Sequence, residues 1–249
     1  MVWTWIITFI ALIVIFIILF KLIKKVFLTI IIFTIIILVV LAGLGLWIYS
    51  DVTDIMEHAP NSNNALYIQD EGLILTGAQI PPEGDLVLLT DEEIATASTN
   101  LNNENMDYFS QNNYFTIFVD LNTIDPLFAE SLEMGKISIK KETYMTALKT
   151  TTPFKTLLSS LNQEENENYI QRNIPIDLKP DSPSTSQERL AIIGLATKDN
   201  VENPEIILPL IIKGYQEDKI IIHPNKFTFR LIKSLPLSLI ESMVSDSVK

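Results

Sequence analysis

Met1 to Tyr49 reads MVWTWIITFIALIVIFIILFKLIKKVFLTIIIFTIIILVVLAGLGLWIY, and this stretch decides how the rest of the chain is read. Two apolar runs, Val2 to Phe20 and Val26 to Tyr49, contain no Asp, Glu, Lys, Arg or His and flank the basic interruption Lys21-Leu22-Ile23-Lys24-Lys25. As helices the runs reach about 28 Å and 36 Å, and a hydrocarbon core is about 30 Å thick, so each is long enough to span. One continuous helix would reach about 72 Å and leave Lys21, Lys24 and Lys25 near mid-bilayer at about 3 kcal/mol each. The reading is therefore a two-helix transmembrane hairpin, with spans 2–20 and 26–49, that turns at the lysines.

Short loops rich in Lys and Arg stay in the cytoplasm, which places both ends of the hairpin outside. Trp3 and Trp5 open the first run and Trp47 and Tyr49 close the second, so a hairpin brings all four to one headgroup level. The expected localisation is a two-pass cell-membrane protein with both termini extracytoplasmic. Charge distribution points the same way. The formal net charge is -12 overall, but the hairpin holds three lysines and no acid, leaving 15 Lys plus Arg against 30 Asp plus Glu for residues 50–249. Residues 51–135 hold 16 carboxylates and no Lys or Arg, the kind of gap expected of a translocated flank. Such a balance disfavours nucleic acid as a partner. There is no basic n-region and no small-x-small cleavage site after the second run, so an uncleaved anchor is expected. The chain has no Cys, hence no disulfide, no thiolate metal site and no lipoprotein acylation.

The expected fold class is α+β: the hairpin, a polar stalk over 50–64, an extracytoplasmic α/β domain over 65–161 and a mostly helical second half over 169–249, packed on the first. Leu66 and Ile68, Asp70-Glu71-Gly72, then Leu73 and Leu75 read as a hairpin closed by a three-residue loop with Gly72 at positive φ. Asp85 to Leu89 is a short strand, and Thr90 with Glu93 makes a capping box that starts a helix through about Thr99. A short helix follows over 105–111. Tyr114-Phe115-Thr116-Ile117-Phe118-Val119 is the strongest strand signal, giving a central strand at 114–120. Asp125 with Pro126 and Gly135 frames a further helix, and Lys136 to Lys140 a strand, which together read as a parallel crossover. Beyond these come helices over 143–148 and from Pro153, the latter with Phe154, Leu157, Leu158 and Leu161 on one face. Two linkers follow, 162–168 and 179–186, with a weak strand between them. Ser184 and Gln187 cap a helix in which Leu190 to Ala196 is apolar on every side, as in a buried helix. A helix from Pro204, ended or kinked near Pro209, has Ile206, Ile207, Leu210 and Ile211 inward. Strand Ile220 to Ile222, an ambiguous segment 227–232 and a final helix from Pro236 complete the chain.

Chemistry-bearing residues are sparse. His58 and His223 are the two histidines. His58 falls in the polar stalk, where a base has no fixed partner, whereas His223 ends an apolar strand from which a side chain could reach a pocket. No Gly-x-Ser-x-Gly, His-Glu-x-x-His, P-loop or dinucleotide fingerprint occurs, so no catalytic residue, cofactor or metal site is assigned. Asp91, Glu92 and Glu93 form an acidic first turn that complements a helix dipole and also marks an acidic interaction surface. The leading expectation is a non-catalytic binding or assembly module of a surface complex, with other membrane or surface proteins as partners and its oligomeric state open. The alternatives are a carboxylate-based envelope hydrolase and a small-solute sensing subunit that needs a signalling partner.

Overall fold

The computed structural model describes residues 32–134, 137–159, 184–201 and 203–239, and the chain forms two compact units, Met1–Asp51 and Val52–Lys249. The first apolar run, the basic turn, both linkers up to residue 183 and the final helix beyond Leu239 lie outside the described residues. In the first unit every described residue is helical. They open α1, Ile32–Asn61, the one helix among the described residues that is long and apolar enough to cross a membrane. From Ile32 to Tyr49 it rises about 27 Å, with Val39, Leu46 and Trp47 each about two-thirds exposed. A helix exposed at nearly every apolar residue from Ile32 to Tyr49 suits a hydrocarbon solvent.

The second unit is mixed α and β. Its first residues are the end of α1, so the stretch expected as an irregular polar stalk is helical up to Asn61, closing with the 3-10 turn Ala59–Asn61. Five strands form one sheet in the order β3-β2-β1-β4-β7: β1 Asn64–Asp70, β2 Leu73–Ile80, β3 Val87–Leu88, β4 Phe115–Asp120 and β7 Ile220–His223. β1 pairs antiparallel with β2 and parallel with β4, while β3 and β7 pair antiparallel at the two edges. β4 is thus an interior strand bonded on both sides, and β1 takes the middle position. A separate two-stranded sheet joins β5 Ser131–Met134 to β6 Ile137–Lys140.

The β1–β2 turn is tighter than expected. Asp70 pairs with Leu73, so only Glu71 and Gly72 form the loop, both at positive φ (51° and 83°), the pattern of a type I′ hairpin turn. Register then slips between Ile68 and Gln69, which leaves Leu75 as an extra residue in β2. This β-bulge turns Leu75 and Thr76 toward the same side of the sheet. On the opposite side lie α2 Asp91–Asn102 and α3 Met106–Ser110, where Ala65, Tyr67 and Phe118 meet Ile94, Ala97 and Phe109. Tyr67 stacks on Phe118 at 5.2 Å, and Phe109 stands edge-on to both rings.

The bulged side carries the remaining described helices: α4 Lys141–Leu148, α5 Pro153–Ser159, α6 Thr185–Val201, α7 Pro204–Gln216 and α8 Phe227–Ser234. Its main core joins Ile68, Leu75 and Leu121 to Phe128, Leu132 and Tyr144 and to Ile192, Ile193 and Ala196 of α6. Both halves of the chain therefore share one core and one sheet.

Three expectations are corrected here. No helix fills 126–134: Asp125–Leu127 is a 3-10 turn that leads into β5. Leu127, Phe128 and Leu132 are all drawn into the interior, and Ala129 N–H donates to Ala196 O at 2.8 Å, so tertiary partners replace the intrahelical ladder. The parallel pair is in consequence β1–β4, not a crossover from β4 to β6. In α7, Pro209 does not end the helix, and Ile206 and Ile211 are 38% and 40% exposed rather than inward.

Candidate apolar binding cleft

The site is built around α6, whose N-terminus is tied down from several sides. Ser184 N–H donates to Gln187 Oε1 (3.0 Å) and Gln187 N–H to Ser184 Oγ (3.3 Å), the reciprocal capping the spacing predicts. Asp91, at the start of α2, accepts from the backbone N–H groups of Thr185 (3.0 Å) and Ser186 (2.8 Å), a carboxylate at the positive end of a helix dipole. Thr76, on the bulged strand, donates to Ser186 O at 2.7 Å. Arg189 reaches three carbonyls at 2.8–2.9 Å: Leu75 in the bulge, and Leu148 and Thr150 at the end of α4. Glu188 accepts from Phe154 N–H at the start of α5 (3.0 Å). Burial holds the Arg189 guanidinium below its usual range and pushes the Glu188 carboxyl above the ordinary one, the latter opposed by its bond from Phe154.

With α6 fixed in this way, its two apolar sides have different fates. Ile192, Ile193 and Ala196 enter the main core. Gly194, Leu195 and Val201 line a cleft of about 620 Å³, which Leu190, Ala191, Ile193, Thr197 and Lys198 extend along the helix. Across from them the floor is Leu66, Ile68 and Val119 of the sheet, with Leu86 and Leu88 at β3 on one side and Ile124 and Leu127 of the 3-10 turn on the other. Nearly the whole wall is aliphatic. Thr197 donates its hydroxyl to Ile193 O within the helix, so Lys198 is the one charged group on the lining. Lys198 is exposed and makes no ion pair among the described residues. A cleft of this size falls within the range that holds small ligands, roughly 300–1,000 Å³.

The residues singled out from sequence lie elsewhere. Asp91 caps α6, and Glu93 closes the capping box with Thr90 (2.8 Å to Thr90 N, 3.3 Å from Glu93 N to Thr90 Oγ1), while all three acids remain exposed. His223, on the α2–α3 side of the sheet, has Nε2 2.7 Å from Ser110 Oγ. Among the described residues no acid orients its other ring nitrogen, and neither partner borders the cleft. A nucleophile–base arrangement needs that third group. His58 stands beside Asp54 (3.0 Å) and stacks on Tyr114 at 5.8 Å, so it is engaged with the folded unit. Several acids of the cation-free stretch are met by distal lysines: Lys141 by Asp125 (3.1 Å), Lys149 by Asp70 (2.7 Å) and Lys226 by Asp54.

Sequence reasoning missed the cleft, though a signal was present. A run apolar on every side, Leu190 to Ala196, predicts a helix buried all round, yet among the described residues the main core lies against one side of it. No family model, curated protein or solved structure matches the chain.

Proposed function

We propose that the chain is a two-pass membrane-anchored extracytoplasmic binding module, non-catalytic, that works within a surface assembly through the cleft under α6. The observation that carries the reading is the aliphatic lining of that cleft, beside a helix start held by Asp91, Thr76 and Arg189. A carboxylate hydrolase would need two acids facing one bound atom, and this lining carries none. Supporting the membrane anchor are the outward apolar surface of α1 and the lysines at 21–25, which favour residues 50–249 on the outer side.

The test uses the full chain in lipid nanodiscs and an uncharged photoreactive alkyl diazirine. Saturable labelling of residues 190–201 and 86–88, lost in Gly194→Trp, is the expected result; Gly194 is exposed and open beyond its Cα, so the indole has room to enter the cleft without disturbing the core. Labelling confined to α1 would remove the cleft from the function.

A further inference from the structure

We infer that the cleft takes the alkyl chain of a medium-chain fatty acid, with the carboxylate at Lys198. The inference rests on the cleft being the working site and adds what occupies it. Three observations on the lining select this class. First, the floor is side chains on a sheet face and one wall is a helix flank; the edge strand that borders the cleft, β3, is two residues long and too short a ladder to pair a peptide, and the Thr197 hydroxyl is already committed. A peptide laid there would bury N–H and C=O groups with no partners, whereas an alkyl chain has none to satisfy. Second, from Leu190 to Lys198 the lining runs about 12 Å along α6, which is the span of an extended chain of roughly nine or ten carbons. Third, the lining has a single charge and it is positive, in a unit where acids outnumber cations. An anionic head is matched by Lys198, and a cationic or zwitterionic one has no counterpart there.

Photoreactive fatty acids and fatty alcohols of matched length, applied to the full chain in nanodiscs, separate the possibilities. The acid is expected to label residues 190–201, with affinity referred to free acid in water rising about fourfold per added methylene until the cleft is filled. Lys198→Glu should weaken the acid about fivefold or more while leaving the alcohol unchanged, and Gly194→Trp should abolish labelling by both. Equal labelling by acid and alcohol, with no response to Lys198→Glu, overturns the fatty-acid assignment while leaving the cleft as an apolar site. Absence of cleft labelling by either overturns both.

Discussion

Arg189 shows how one side chain can close the backbone accounts of three elements. A bulge frees a strand carbonyl from its ladder, and a helix C-terminus leaves its last carbonyls unmatched; the planar fork of Arg189 meets Leu75 O from the first source and Leu148 O and Thr150 O from the second. Arg189→Met keeps the aliphatic stem and leaves three carbonyls without this donor. It is expected to cost about 3 kcal/mol, and Arg189→Lys to recover only part, since one ammonium cannot span all three. Urea unfolding followed by near-UV circular dichroism of the buried tyrosines measures both; a loss below about 1 kcal/mol for Arg189→Met would show that water replaces it without penalty. None of this was readable beforehand. Asp91 was legible as an acid in a first turn, but the helix it caps begins 94 residues later, and no local spacing reports such a partner.

Among elements, those whose signals are local came through and those decided by tertiary demand did not. Thr90 with Glu93 and Ser184 with Gln187 start helices where the capping rule puts them, because both partners lie within one turn. Pro126 fits a 3-10 turn as well as an α-helix, and the pull of Leu127, Phe128 and Leu132 into the core decided between them. Two mid-helix glycines turn this contrast into a measurement. At Gly214 in α7 an added Cβ would sit 2.6 Å from Thr123 Cγ2 and 2.8 Å from Ile220 Cδ1, whereas at Gly194 in α6 nothing lies within 4 Å. Gly214→Ala should therefore lose about 1–3 kcal/mol by forcing α7 off the sheet, and Gly194→Ala should gain about 0.5–1 kcal/mol from helix propensity. Opposite shifts in the thermal midpoint of the folded unit are the expected outcome; two shifts of the same sign would mean that α7 is not seated on Ile220 as described.

At the scale of the whole molecule, the α+β class and the interior place of the 115–120 strand were legible, while the parallel partner was not. Phe115, Thr116 and Phe118 announce a buried strand, but nothing in their order says that Ala65 and Tyr67 lie alongside. The folded unit also begins earlier than composition suggests. Asp54 accepts from Tyr114 and pairs with Lys226, and His58 stacks on Tyr114, so the polar end of α1 belongs to it. A fragment of residues 52–249 should unfold in urea as one sigmoidal transition, and one starting at 62 should unfold at lower denaturant by about 1–2 kcal/mol for want of the Asp54 anchor. Identical midpoints would assign residues 52–61 no part in stability.

The sheet order also sets a timetable. β4 receives its outer neighbour from β7, whose first residue lies 100 positions after the last of β4. At synthesis rates of about 5–20 residues per second, the outer edge of β4 waits roughly 5–20 s for that strand to be made. Throughout that interval Phe115-Thr116-Ile117-Phe118-Val119 presents open hydrogen-bonding groups beside apolar side chains, the kind of edge on which nascent chains associate with one another. The protein's passage through its biogenesis thus depends on whatever shields one strand until the last eighth of the polypeptide arrives.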